Sequence, residues 1–161
     1  MLKIVEADLN NSVHADALLT MLNEYALHPM GGAEPLSSHV RNNLLSELKQ
    51  RSIARVVLAF DGDTPAGMII SFEGFSTFAC KPLLNLHDVV VSAPYRGKGV
   101  FKLMLQELET IAQRLGCCKL TMEILEGNQH AMAVYKAHGF AGFELDPAMG
   151  KAVFWQKKLT S

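Results

Sequence analysis

The stretch VVVSAPYRGKGVFKLML, residues 89–105, limits the fold more than any other part of this chain. An apolar, β-branched run meets a turn carrying Gly97 and Gly99, and helical periodicity follows at once. Phe101, Met104, Leu105, Leu108, Ile111, Ala112 and Leu115 form one stripe, and Gly116 is placed to end the helix. CKLTMEIL then returns to strand composition. Strand, glycine turn, long helix and strand make a βαβ crossover, which joins two parallel strands with right-handed connectivity. An all-helical or purely antiparallel fold is thereby excluded.

The elements around this unit follow from their own patterns. Leu2 to Glu6 reads as a short strand, and Asp8, Asn10, Asn11 and Ser12 offer caps for the helix that carries Ala15, Leu18, Leu19, Leu22, Tyr25 and Ala26 on one face. HPMGGAEP stops that helix, and Ser37 or Ser38 caps a second one with Val40, Leu44, Leu45 and Leu48 on one side. IARVVLAF and PAGMIISFEGF flank the turn signal DGDTP and predict a hairpin, and PLLNLHDVVV predicts a central strand. Asn128 caps a short helix bearing Ala131, Val134, Tyr135 and His138, while FAGFEL and AVFWQKKL are expected to close the chain as an antiparallel pair. The sheet is therefore mixed, and the 161 residues fit one domain spanning 1–161.

Composition narrows the partners. Lys and Arg number 15 against 16 acids, with no basic cluster beyond Lys157-Lys158, so no stripe exists to displace counterions from nucleic acid. Cys80, Cys117 and Cys118 form no disulfide framework, which fits reduced thiols and a cytoplasmic setting. The N-terminal stretch MLKIVEADLNN carries charges within its apolar run, unlike a signal peptide, and no run approaches the roughly 18 apolar residues of a membrane span. The six histidines lack metal-ligand spacing and no H-E-x-x-H occurs, so no metal is expected.

The glycine turn itself predicts a ligand. A turn entering a helix gathers unpaired backbone N–H groups, and the helix adds roughly half a positive charge there. Gly97 and Gly99 admit main chain without a Cβ, and Arg96 and Lys98 supply positive charge, so a pyrophosphate is the expected guest. The segment lacks the G-x-x-x-x-G-K-S/T of a P-loop, and Lys102 stands where a dinucleotide fingerprint needs its third glycine.

Two motifs in order carry a family resemblance. Arg96 and Gly99 fill the first and fourth places of Q/R-x-x-G-x-G/A, and NQHAMAVYKAHGF matches N-x-x-A-x-x-L/V/F-Y-x-x-x-G-F through Asn128, Ala131, Val134, Tyr135, Gly139 and Phe140. In this the chain resembles the GNAT N-acetyltransferase superfamily over residues 83 to 158; the first half agrees in the order of its elements. Phe101 departs from the pattern, standing where a small residue is usual; its phase with Met104, Leu105 and Leu108 predicts a ring turned into the core.

The resemblance implies an α/β fold with a central, twisted mixed sheet of about six or seven strands flanked by about four helices. It implies acetyl transfer from acetyl-CoA to a primary amine, with a non-catalytic acyl-CoA binding module as the alternative. Main chain of Val89, Val90 and Val91 would hold the pantetheine arm; Arg96, Gly97, Lys98, Gly99, Val100 and Phe101 would hold the pyrophosphate, and Asn128 would contact the arm. Tyr135 matches the tyrosine that protonates the leaving thiolate, a role suited to a phenol whose ordinary pKa is about 10. Asp88 or His87 is the candidate base; adjacent strand residues face opposite sides, so both point inward only if a bulge intervenes. Glu73, Phe75 and Met30 are candidate acceptor contacts, and exposed strand edges suit a homodimer.

Overall fold

Helices begin where the sequence supplies caps. The Asn11 side chain accepts the Val13 N–H at 2.9 Å and opens α1 (Ser12–Leu27). Ser37 Oγ accepts the Val40 N–H at 3.2 Å and opens α2 (Ser38–Lys49). Between them the segment around Pro29 and the glycines makes a single turn of 3₁₀ helix, Pro29–Gly31, closed by Gly32 in the left-handed region. The computed structural model describes residues 1–160.

Five strands form one sheet in the order β1 (Leu2–Glu6), β2 (Ala54–Asp61), β3 (Thr64–Ser76), β4 (Lys81–Val91) and β5 (Leu120–Met122). The first four pair antiparallel with their neighbours; β5 joins β4 in parallel after the crossover helix α3 (Val100–Arg114). Strand alternation splits the core in two. Val56, Leu58, Phe60, Met68, Ile70 and Val90 pack with Leu18 and Met21 of α1 and Leu48 of α2. Their neighbours Val57, Ala59 and Ile69 are buried on the other face, across which α3 runs. Each fully buried Leu or Met contributes about 1.5–3 kcal/mol, so these two stripes hold the helices to the sheet.

The close approach of α3 depends on Gly67 in β3. A Cβ built there would lie 2.9 Å from Met104 Cε and 3.0 Å from Val100 Cγ1, inside contact distance. Gly67→Val is expected to destabilise by about 1–3 kcal/mol, lowering the melting temperature by about 2–4 °C per kcal/mol. A thermal melt checks this, and an unchanged midpoint would show that α3 shifts at no cost.

The chain divides into two compact units, Met1–Met122 and Glu123–Ser161. In the second, Asn128 Oδ1 accepts the Ala131 N–H at 3.2 Å and opens α4 (Gln129–Ala137). Here the structure departs from the expected strand count. Among the described residues five strands form rather than six or seven, and the predicted final pair is reduced to one bridge, Glu144 to Lys151, beside an Ala152 N–H bond to the Phe143 carbonyl. Asp146, Pro147 and Gly150 make a tight 3₁₀ turn there, and Leu145, Val153, Phe154 and Trp155 are exposed. A two-stranded pair that buries no apolar face lacks the gain needed to offset its ordering entropy. β5 is likewise shorter than CKLTMEIL suggests, pairing at three residues. No helix among the described residues is long and apolar enough to cross a membrane.

Candidate active site

The glycine turn is built as its sequence requires. β4 ends at Val91, a 3₁₀ turn covers Ala93–Tyr95, and Gly97 and Gly99 follow at φ 72° and 78°. Both angles lie where a side chain costs energy, and no atom stands within 4 Å of a Cβ placed on either glycine. Gly99 is the N-cap of α3 and has no side chain, so the first amides of the helix receive no side-chain cap. Phe101 is buried in line with Met104, Leu105 and Leu108, and so turns its ring away from this surface.

Side-chain contacts hold the turn. Arg96 Nε donates to the Val91 carbonyl at 3.1 Å. The Tyr95 hydroxyl reaches Asp61 of the β2–β3 hairpin at 3.4 Å, and Lys98 Nζ sits 5.6 Å over the Tyr95 ring. From α1, Glu24 Oε1 accepts the Ala93 N–H at 3.1 Å, capping the 3₁₀ turn that Ser92 leaves without a side-chain cap. The positive side chains are thus pre-set beside bare backbone.

Along β4 the parallel ladder to β5 stops early. Leu84, Asn85 and Leu86 pair with Leu120, Thr121 and Met122, and Asn85 Nδ2 donates to Thr121 Oγ1 at 3.0 Å. β4 then runs on to Val91 beyond the end of β5 at Met122, so Val89 and Val91 have no ladder partner in β5. Val90, between them, turns into the core beneath α1.

A bulge decides the question of His87 and Asp88. Ser71 pairs with Leu86 and Ile70 pairs with Asp88, which leaves His87 as the extra residue. Asp88 therefore shares a face with Ile70, and the His87 ring meets Phe72 edge-on at 5.4 Å; Ile70 and Phe72 both belong to the cluster beneath α1 and α2. Both side chains reach one face. Burial pushes the Asp88 carboxyl above its usual range, and the charge of His87 draws it part of the way back. Tyr25, at the end of the α1 stripe, responds to the same carboxylate: burial raises its phenol and the Asp88 charge raises it further.

Glu73 follows Phe72 and so faces the opposite side, where its carboxylate lies 3.9 Å from Arg55. Phe75, two residues on, is exposed, and Met30 sits in the turn after α1. In the second unit, Asn128 serves as the α4 cap, and the Tyr135 ring packs edge-on against Phe140 at 6.1 Å. All three cysteines are unpaired by disulfides; burial, then Glu73 and Cys118, raise the Cys117 thiol, which suppresses its thiolate.

Residues 17–140 match the model of the Acetyltransferase (GNAT) family. The chain belongs to this family. It is 26% identical over 147 residues to a thialysine N-epsilon-acetyltransferase of Caenorhabditis elegans, covering 84% of this chain and 88% of that one. An L-ornithine N5-acetyltransferase of Arabidopsis thaliana is 28% identical over 79 residues, 49% of this chain and 35% of its own. Among solved structures, an aminoglycoside acetyltransferase from an uncultured soil metagenomic sample superposes with a TM-score of 0.77 at 17% identity, covering 99% of this chain and 97% of that one. At that identity the likeness speaks to the fold.

In this GNAT enzyme a hollow of about 420 Å³ lies away from the glycine turn, between β1, β2 and the far end of α3. Its Arg114 is taken by Glu6 at 2.8 Å, so it offers no open charge from that side chain. Glu24 and Tyr25 are the neighbours of the site that sequence reading missed. Tyr25 sits in an apolar stripe like any core aromatic, and nothing local marks Glu24 as the cap of a turn 69 residues away.

Proposed function

We propose that this acetyltransferase moves an acetyl group from acetyl-CoA to a primary amine at the end of a short aliphatic chain, within one catalytic domain spanning residues 1–161. The bulge at His87 carries the reading: it puts a half-buried carboxylate on the α1 face, one residue before the strand edge that runs to the glycine turn. Asp88 with the aromatic rings of Phe72 and Tyr25 suits an ammonium group, which gains from a carboxylate and from ring faces alike. The two curated relatives named above support that acceptor class, being called enzymes of the thialysine N-epsilon and L-ornithine N5 amino groups. The family model runs through both compact units, which supports the single domain.

The bound thioester supplies the acetyl group and a thiol leaving group. The chain's residues do the rest. Gly97 to Phe101 receive the diphosphate on main-chain amides, with Arg96 and Lys98 as counter-charges, and the open edge at Val89 and Val91 receives the amide groups of the arm. Asp88 accepts a proton from the ammonium nitrogen, whose freed lone pair forms the new C–N bond as the C–S bond breaks, and the nitrogen sheds its second proton to water as the amide forms. Tyr135 donates its hydroxyl proton to the departing sulfur. Glu73 stays outside this scheme, held by Arg55 on the other face.

Calorimetry tests the turn. Hydrogen bonds to charged groups are worth about 1.5–3 kcal/mol, so CoA is expected to bind about 10–100-fold more tightly than dephosphorylated pantetheine. Equal affinities would remove the diphosphate from the reading. Release of free thiol from acetyl-CoA, with L-ornithine and thialysine set against peptides and aminoglycosides, tests the acceptor class.

A further inference from the structure

The end of α1 touches both halves of the proposed site through adjacent residues. Glu24 Oε1 holds the Ala93 N–H at 3.1 Å, across a separation of 69 residues, at the root of the cofactor turn. Tyr25, about 100° further round the helix, packs on the core cluster that holds Ile70 and Val90, the face on which Asp88 stands opposite Ile70. That end of the helix has little freedom of its own. The His28 N–H bonds the Tyr25 carbonyl at 3.1 Å, and a Cβ at Gly31 would collide with the same carbonyl, so the following turn is packed hard against it. Met21 and Leu18, fully buried one and two turns back, fix the helix on the sheet. A change at Ala93 is thus passed to a short rigid element rather than absorbed by a loop.

We propose that Glu24 is a positioning residue that couples the two substrates: by capping the cofactor turn at Ala93, it ties occupation of that turn to the placement of Tyr25 on the face that Asp88 shares with Ile70. Glu24 touches no reacting atom. Filling the turn orders the backbone from Ala93 to Gly99, the Glu24 bond transmits that order to α1, and the acceptor face is set before the amine arrives. By reciprocity, an amine bound at Asp88 tightens the hold on the cofactor. The inference rests on the reading of the turn as the CoA diphosphate site, and its test separates the two.

The test is amide hydrogen exchange of the whole chain with and without CoA, read on peptides spanning residues 18–27 and 96–103. In the wild type CoA is expected to slow exchange in both, the first by about fivefold or more, the lower end of ordinary coupling. In Glu24→Ala the effect of CoA on 18–27 falls below about twofold, while 96–103 remains protected. Glu24→Gln keeps the coupling, because its amide oxygen still accepts from Ala93. A merely structural contact would change exchange with and without CoA alike and leave the ratio intact. Undiminished protection of 18–27 in Glu24→Ala overturns the coupling, as does a wild-type helix indifferent to CoA. A wild type in which 96–103 gains no protection defeats the diphosphate reading itself, and the coupling with it.

Discussion

Asp88→Asn lowers kcat/KM for an amine acceptor by about 10²–10⁴-fold, the span that a positioned general base contributes. The wild type should show a rise of kcat/KM with pH whose midpoint lies above the ordinary carboxylate range, because burial raises the Asp88 carboxyl. That limb disappears in the Asn variant. In His87→Ala it moves to higher pH, since the charge that lowers the Asp88 carboxyl is gone. Stability should move the opposite way. A carboxyl with its folded pKa above its unfolded value, here 3.8, binds its proton more tightly when folded. Stability then falls as pH rises between those two values, and the whole cost stands above the folded one. Asp88→Asn should therefore melt above the wild type at pH 7, by about 2–4 °C for each kcal/mol relieved, and level with it below about pH 4. Full activity in the Asn variant would remove Asp88 from the chemistry.

Tyr135→Phe is expected to cost about 10²-fold in kcat, while the affinity for CoA stays within about twofold. The ring survives the change, and with it the edge-on contact to Phe140, so the loss reports the hydroxyl alone. The drop should appear in kcat and kcat/KM together, as for an interaction made only when the thiolate departs. An acceptor screen giving equal turnover for both proteins at every pH would leave the thiol to be protonated by water.

These two residues differ in how much of their role could be read in advance. Tyr135 lies inside a motif whose spacing is fixed by one short helix, so its place on α4 beside Phe140 follows from local pattern. Asp88 lies in a motif-free strand. Strand alternation allows only one of His87 and Asp88 to face α1, and the choice between them stays open at that level. The register shift opposite Ile70 and Ser71 removes the choice by turning both to one face. A bulge is set by how two strands pair across a sheet, and no single strand records it.

The final pair of strands shows the reverse failure. FAGFEL and AVFWQKKL have strand composition, yet Leu145, Phe154 and Trp155 stay exposed and one bridge forms. Propensity favours a strand there; only burial against another surface would hold one, and those side chains find none.

The sequence by itself determined the crossover, the capped starts of the helices, the inward turn of Phe101 and the glycine turn, because each follows from a pattern that runs along the chain. Tertiary structure alone decided the shared face of His87 and Asp88, the removal of Glu73 to the Arg55 side, and the reach of Glu24 to Ala93. Those relations join atoms far apart along the chain, and their geometry exists only once helix, strand and turn have been packed together.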